Sequence, residues 1–259
     1  MNGGFILFVE ERLQEIINLL NLNGKIIVKD LSIKFDVTED CIRKDLKILE
    51  KNGLIKRTYG GAVLSRESSL NRTIVSRKNL DIESKQRIAE KVYEIIKERE
   101  TIFLDIASTN IVVAEYIAQG RKKMTVISNM VDVIQILSQC PNVEVIGIGG
   151  VLNKELSGFI GSSTIEYISK YKVDRAFIGS CGVDVADHSI TTFLVEDGNT
   201  KRAIMNASKK TYLVIGSKKF YSDGVYKFAE IYDFDTIVVD EMPDPKVEYL
   251  LEQFNVNLV

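Results

Sequence analysis

Residues 36–64, DVTEDCIRKDLKILEKNGLIKRTYGGAVL, decide how this chain is read. Thr38 suits a helix N-cap, and the run after it continues to an Asn52-Gly53 break. A short basic strand and a Gly60-Gly61 turn follow. At about 100° per residue, Ile42, Leu46 and Leu49 fall on one side of the helix, and Asp40, Arg43, Lys44, Lys47 and Lys51 on the other. A charged outer face on an amphipathic helix is ordinary by itself. A mostly cationic one also suits a helix laid in the major groove of DNA, where Lys and Arg neutralise phosphates and residues near the helix start reach base edges.

The flanking sequence decides between these readings. Upstream, 10–21 carries Leu13, Ile16, Ile17 and Leu20 at helical spacing and ends at Asn23-Gly24. Residues 26–28 read as a short strand, and 30–35 as a short helix with Leu31 and Phe35 on one face. Helix, strand, helix, tight link, basic helix and basic hairpin, in that order, is a winged helix-turn-helix. Between 41 and 66 the chain has seven Lys and Arg residues against two acids, a local net of +5 where the whole chain carries -2. The expected DNA contacts are Thr38, Arg43, Lys44, Lys47, Arg57 and Tyr59. Of these, Thr38 is chiefly a cap, and Arg43 lies near the helix start that reads bases.

A length of 259 residues allows one or two domains with real cores. The three cysteines, Cys41, Cys140 and Cys181, are widely spaced with no CxxC, which argues against a disulfide framework or zinc site and fits a reducing cytoplasm. With His188 as the one histidine, His-based metal sites and Ser-His or Cys-His catalysis are disfavoured, so neither metal nor cofactor is expected. No apolar run is long enough to span a bilayer, and the expectation is no membrane partner. The short apolar patch 5–9 lacks the flanks of a signal peptide. Its oddness leads us to expect a mis-assigned start, with translation beginning near Val9.

The expected organisation is a DNA-binding domain over 9–64, a linker over 65–82 with one short extended piece, and an α/β domain for effector binding and oligomerisation over 83–259. After a helix over 83–98, strand candidates at 101–105, 124–128, 143–148, 174–179, 211–216 and 236–239 alternate with helical patterns at 111–118, 131–137 and 164–171. That alternation predicts a mostly parallel sheet covered by helices, with ligands beyond the carboxyl ends of the strands. Those ends are Asp105 to Thr109 (with Ser108), Ser128-Asn129, Gly149-Gly150 and Gly179-Ser180-Cys181-Gly182. Small and hydroxylated residues at helix starts surround an anion well, phosphate above all, although Ser and Thr are also common caps. Glu196 and Lys201, in a polar stretch leading into a helix, would bind sugar hydroxyls and a phosphate respectively, and Lys219 is a second cation at the same edge. The alternative for these charges is a solvated loop. Neither GxGxxG nor GxxxxGK[ST] is present, so NAD and ATP are poor candidates.

Taken together, the chain resembles the DeoR family of bacterial transcriptional regulators over roughly residues 10–259. Its most specific part is Val37-Thr38, Ile42-Arg43-Lys44-Asp45-Leu46, Leu49-Glu50, Gly53-Leu54-Ile55, Arg57 and Gly60-Gly61-Ala62, similar to the family's DNA-binding signature. In the second half, Phe103-Leu104-Asp105, Ser108-Thr109, Ser128-Asn129, Gly149-Gly150, Asp174, Gly182-Val183-Asp184, Glu196, Lys201 and Lys219-Phe220 look like the family's sensor domain. The resemblance implies a domain like the phosphosugar isomerases that binds a phosphorylated sugar, whose arrival releases operator DNA, in a homodimer or homotetramer. Departures from the family pattern are Cys41 for a small hydroxyl residue, Ala107 for a glycine, Arg175 for a lysine, Gly216 for an aspartate, and Gly198-Asn199 within an expected helix.

The expected function is therefore a cytoplasmic DNA-binding regulator, a repressor of sugar-metabolism genes, and not an enzyme. Two other readings use the same residues. One is a phosphosugar isomerase with Asp184, Glu196 and Lys201 as its acid/base set, disfavoured by Asp187-His188-Ser189-Ile190-Thr191-Thr192 where those enzymes carry a Lys-Gly-rich segment. The other is a DNA-binding regulator that has lost effector sensing.

Overall fold

Two apolar patterns, one of helical period and one of buried strands, build the two units into which the chain divides, Met1–Glu67 and Ser68–Val259. The computed structural model describes residues 9–23, 25–51, 55–64, 67–68, 73–254 and 256–259. The expectation for residues 1–8 and the breaks at Gly24 and Asn52-Gly53 fall outside this set.

In the first unit, helices Val9–Asn23, Val28–Phe35 and Glu39–Lys51 pack on a three-stranded antiparallel sheet. Its strand order is Lys25–Ile27, Gly61–Leu64, Ile55–Thr58. The first strand stops one residue earlier than its sequence suggests because Val28 opens the next helix and donates its N–H to Gly60 O at 2.9 Å. That helix ends at Asp36, held at φ 51°. Ile42, Leu46 and Leu49 are buried with Ile16, Leu20, Leu31, Phe35 and Ile55, each full burial stabilising by about 1.5–3 kcal/mol before entropy is counted. The hairpin depends on two glycines. Gly60 adopts φ +79°, and a Cβ on Gly61 would lie 2.0 Å from Ile26 O.

One core position of helix Glu39–Lys51 is not apolar. Asp45, 3% exposed, accepts from Arg12 Nε at 2.6 Å and from Arg12 Nη2 at 3.2 Å, while Nη2 also reaches Cys41 Sγ at 3.4 Å. This pair fixes the first helix against Glu39–Lys51.

The second unit is a seven-stranded parallel sheet in the order Asn257–Leu258, Thr236–Val239, Thr211–Ile215, Arg175–Ile178, Thr101–Leu104, Met124–Ser128, Val143–Gly147. Its five inner strands are buried on both faces, and alternate side chains feed two cores. Ile102, Leu104, Val126, Phe177, Tyr212 and Val214 pack with helices Ile82–Ile95, Ser108–Gln119 and Val131–Leu137. Phe103, Ile127, Ala176, Ile178, Leu213 and Ile215 pack beneath Ser162–Ile168, Val195–Asn206 and Pro245–Glu252. Successive strands run outward in both directions from Thr101–Leu104 and Arg175–Ile178, so the topological switch point lies between those two.

Several elements depart from the sequence expectation. The strand Asn257–Leu258, the hairpin Val151–Asn153 with Gly158–Ile160, and the antiparallel sheet of Gly182–Asp184, Ser189–Thr192 and Tyr226–Glu230 were not anticipated. Within 65–82, where a linker with an extended piece is expected, Ile74–Lys78 is a helix. Thr73 caps it by accepting from Ser76 N, and Ile74 is fully buried in the core. Glu196 and Lys201 lie inside a helix rather than ahead of one. Gly198 is needed there, because a Cβ would come within 2.5 Å of the Tyr226 ring, and Asn199 Oδ1 accepts from Tyr226 OH at 2.9 Å.

Replacing Asp45 by Ala leaves the Arg12 guanidinium buried without a counter-charge. Asp45→Ala is expected to destabilise the first unit by about 3–5 kcal/mol. Urea unfolding of the full chain, with hydrogen exchange read across Glu39–Lys51, measures it.

Candidate functional site

The first site is the cationic face of the first unit. Thr38 Oγ1 accepts from Cys41 N at 3.2 Å and so caps the recognition helix. Lys44 and Lys47 are exposed on its outer side. Arg43 folds back along the helix, donating to Asp40 Oδ1 at 2.7 Å and Glu39 Oε2 at 2.6 Å. Arg57 ties the wing to the helix through its Nε to Glu50 Oε2 at 2.6 Å and its N–H to Glu50 Oε1 at 3.0 Å, which holds the Glu50 carboxyl below its usual range. Tyr59 stands fully exposed at the hairpin turn. These exposed ion pairs are worth little in water, so an external phosphate would displace either carboxylate at small cost.

The second site lies at the switch point of the sheet. Asp105 ends one inner strand and is fully buried. Its Oδ1 accepts from Gly179 N at 3.1 Å, at the end of the other inner strand, and from Asn110 Nδ2 at 2.8 Å. Asn110 Nδ2 also reaches Phe177 O at 2.9 Å, so the two strand ends are bound together. Gly179 is required here, since its Cβ would sit 2.5 Å from the Ala107 Cβ. From helix Val195–Asn206, Lys201 Nζ pairs with Asp105 Oδ2, reaches Ile106 O at 3.3 Å and lies 3.8 Å from Asp197 Oδ1. Thr192 Oγ1 in turn donates to Asp197 Oδ2 at 2.6 Å. Burial pushes the Asp105 carboxyl above its usual range, even against the pull of Lys201. Burial alone would lower the Lys201 ammonium, but Asp105 and Asp197 together reverse this and hold it raised.

Above this pair opens a cavity of about 260 Å³. The start of helix Ser108–Gln119, with Ser108 and Thr109, forms part of its wall, together with Ser180, Lys201 and Lys219. A helix start and several cations on one concave surface suit an anion.

The other expected effector residues lie elsewhere. Asp105 itself positions Lys201 rather than facing the cavity, because its carboxylate is enclosed. Ser128 is buried, donating to Leu104 O at 2.7 Å and accepting from Met130 N at 3.1 Å. Asn129 donates to Phe159 O at 2.9 Å and steadies the hairpin. Gly149 O accepts from Thr164 Oγ1 at 3.1 Å, and Gly150 adopts φ +146° against that same threonine. Gly182 runs so close to the backbone of Ser222 that a Cβ would lie 1.8 Å from its oxygen. Asp184 Oδ1 accepts from Ala186 N at 2.8 Å in the hairpin loop, and Glu196 is exposed. None of these lines the cavity, so Asp184, Glu196 and Lys201 do not converge as an acid/base set.

The cavity residues that sequence reasoning does not select include Arg77, Lys85, Ser180 and Asp197. Ser180 stood within a turn already recognised as anion-suited, and its hydroxyl is buried without a hydrogen-bond partner among the described residues. Arg77 lies within, and Lys85 just after, the stretch 65–82 that reads as a linker. Lys85 Nζ is held by the carbonyls of Arg77, Lys78 at 3.3 Å and Leu80 at 2.6 Å, which close the helix Ile74–Lys78. Burial lowers its ammonium from 10.5 to about 8, aided by the charges of Arg77 and Lys219 and opposed by Asp81.

Folding therefore releases the Lys85 proton between about pH 8 and 10.5, where the unfolded chain still holds it. The contribution of this group to stability rises with pH across that window and is lost as pH falls through about 8. The urea midpoint of the second unit is expected to carry this rise in the wild type and not in Lys85→Met.

Residues 80–241 match the family model described as the DeoR C terminal sensor domain, and residues 12–68 match the DeoR-like helix-turn-helix domain. The glycerol-3-phosphate regulon repressor of Haemophilus influenzae is 31% identical over 242 residues, covering 93% of this chain and 93% of that protein. The HTH-type transcriptional repressor GlcR of Bacillus subtilis is 30% identical over 253 residues, covering 98% of this chain and 96% of that one. Among solved structures, ribose 5 phosphate isomerase A from Neisseria gonorrhoeae aligns over 54% of each chain at 18% identity with a TM-score of 0.40.

Proposed function

From the premise that this chain belongs to the DeoR family of transcriptional regulators, we propose that it represses sugar-metabolism genes and leaves its operator when a phosphorylated sugar fills the cavity at the switch point. The observation that carries this reading is one cavity bringing together the Ser108–Thr109 helix start, Ser180 and Lys219 above the buried Asp105–Lys201 pair.

On the DNA side, Lys44, Lys47, Arg43 and Arg57 hold phosphates, with Arg43 and its neighbours at the helix start aimed at base edges. Tyr59 touches the backbone from the wing. On the effector side, helix-start N–H groups, Ser108, Thr109 and Ser180 take the phosphate oxygens, and Lys219 neutralises charge. The effector acts only by binding the DNA-released arrangement more tightly, a coupling that typically amounts to 1–3 kcal/mol. Two copies place two recognition helices on a two-fold operator. Among the described residues no helix is long and apolar enough to cross a membrane. A regulator that binds operator DNA works in the cytoplasm, where that DNA lies. It works as a binding protein and not as an enzyme. The names of both relatives, each a repressor, support that reading.

The deciding experiment is an electrophoretic mobility shift on the chain's own upstream DNA with phosphorylated sugars titrated into the complex. Release by one compound and not by its unphosphorylated form is the expected result; firm binding that no phosphorylated sugar disturbs refutes the effector half. In a thermal-shift screen, that compound at about a hundred times its Kd should add about 2.7 kcal/mol of stability. For the DNA half, Arg43→Ala with Lys44→Ala is expected to abolish specific operator binding while the second unit unfolds as in the wild type. Residual binding should show a salt slope smaller by up to about 2 for each copy bound.

A further inference from the structure

Residues 73–81 are the first described stretch of the second unit beyond Ser68, and so lie on the chain's route from the DNA-binding unit into the sensor. This stretch also forms one side of the cavity, through Thr73, Arg77 and Asp81. The sensor body holds it at several points. Ile74 is buried in the core and donates its N–H to Glu155 O at 2.8 Å. Lys78 pairs with Asp132, and Asp81 Oδ1 accepts from Lys218 Nζ at 2.6 Å. Lys85 gathers the carbonyls of Arg77, Lys78 and Leu80 on one ammonium, so those residues move as one piece.

Arg77 stands apart from this pattern. Its guanidinium has no ion pair among the described residues, and its Nε is buried without an acceptor. Ser180 Oγ, on the wall of the same cavity, is likewise buried and unpartnered. A buried donor left unmade is costly, and two such donors on residues lining one cavity point to an acceptor that the chain itself does not supply.

We propose that Arg77 is the residue by which an anionic ligand grips the connecting stretch, with the oxyanion bridging Arg77 to Ser180 and the Ser108–Thr109 helix start. This rests on the reading of the cavity as an anion site and adds to it the path by which occupancy is felt outside. A ligand held by Ser108, Thr109 and Ser180 alone would fill the cavity without engaging the route to the DNA-binding unit. Through Arg77 the same ligand fixes 73–81 against the sheet edge, and the Lys85 ammonium carries that constraint along to Leu80.

The test is hydrogen exchange on the full-length chain, with inorganic phosphate as the probe and ionic strength matched by chloride. In the wild type, phosphate is expected to slow exchange at both 108–110 and 73–81, by about fivefold or more. In Arg77→Gln the slowing at 108–110 remains and that at 73–81 is lost, while Arg77→Lys, which keeps the charge, recovers part of it. Unchanged exchange of the central strands without phosphate shows that each variant is folded. Equal slowing of 73–81 in wild type and Arg77→Gln overturns the proposal, as does a wild type that responds at 108–110 alone. A wild type in which neither stretch responds overturns the anion reading and this proposal together.

Discussion

The buried contact between Asp105 and Lys201 is the interaction on which the sensor unit depends. A carboxylate with no solvent access is tolerated only when its charge and lone pairs are all met, and here each partner comes from a different element. Gly179 N brings in the neighbouring strand, Asn110 the helix that follows Asp105, and Lys201 the helix Val195–Asn206 across the sheet edge. The strand ends, the helix start and the far helix are thereby set in register by one side chain. The cavity is the space left above that junction, and its position follows from the strand order rather than from any separate binding loop.

The recognition helix shows how far pattern alone reaches. Its apolar face, its Thr38 cap and its exposed cations were legible because helical period and capping chemistry are local properties. Asp45 was not, because the partner that makes its burial tolerable, Arg12, lies on another helix. In the second unit, the strands Met124–Ser128 and Thr236–Val239 and the helix Val131–Leu137 sit where the sequence places them. The two-residue strand Asn257–Leu258 and the three-residue strands Val151–Asn153, Gly158–Ile160 and Gly182–Asp184 are too short to carry a period of their own.

The candidate site was legible in kind and only partly in membership. Several strand ends carry small polar residues, but sheet order decides which of them face one another, and order is not written in any single turn. The ends at Asp105 and Gly179 meet at the switch point. Ser128, at the end of the next strand, bonds Leu104 O, while Asn129 steadies the hairpin and Gly149 and Gly150 pack on Thr164 of helix Ser162–Ile168. Arg77 and Lys85 escaped notice for a different reason. The polar text around them reads as a linker, and only the burial of Ile74 and the carbonyl contacts of Lys85 show that the stretch belongs to the folded body.

The close approach of residues 107 and 179 reaches beyond this one chain. With 2.5 Å between the Ala107 methyl and the place a methyl on Gly179 would occupy, the junction holds one such group and not two. The two positions form a single unit of inheritance: alanine at one obliges glycine at the other. A descendant that moved the methyl from 107 to 179 would pass through glycine at both, a looser but passable intermediate, whereas the opposite order runs through a steric clash. The order of substitution at this junction is therefore fixed, and two small residues on the cavity wall constrain how that cavity changes.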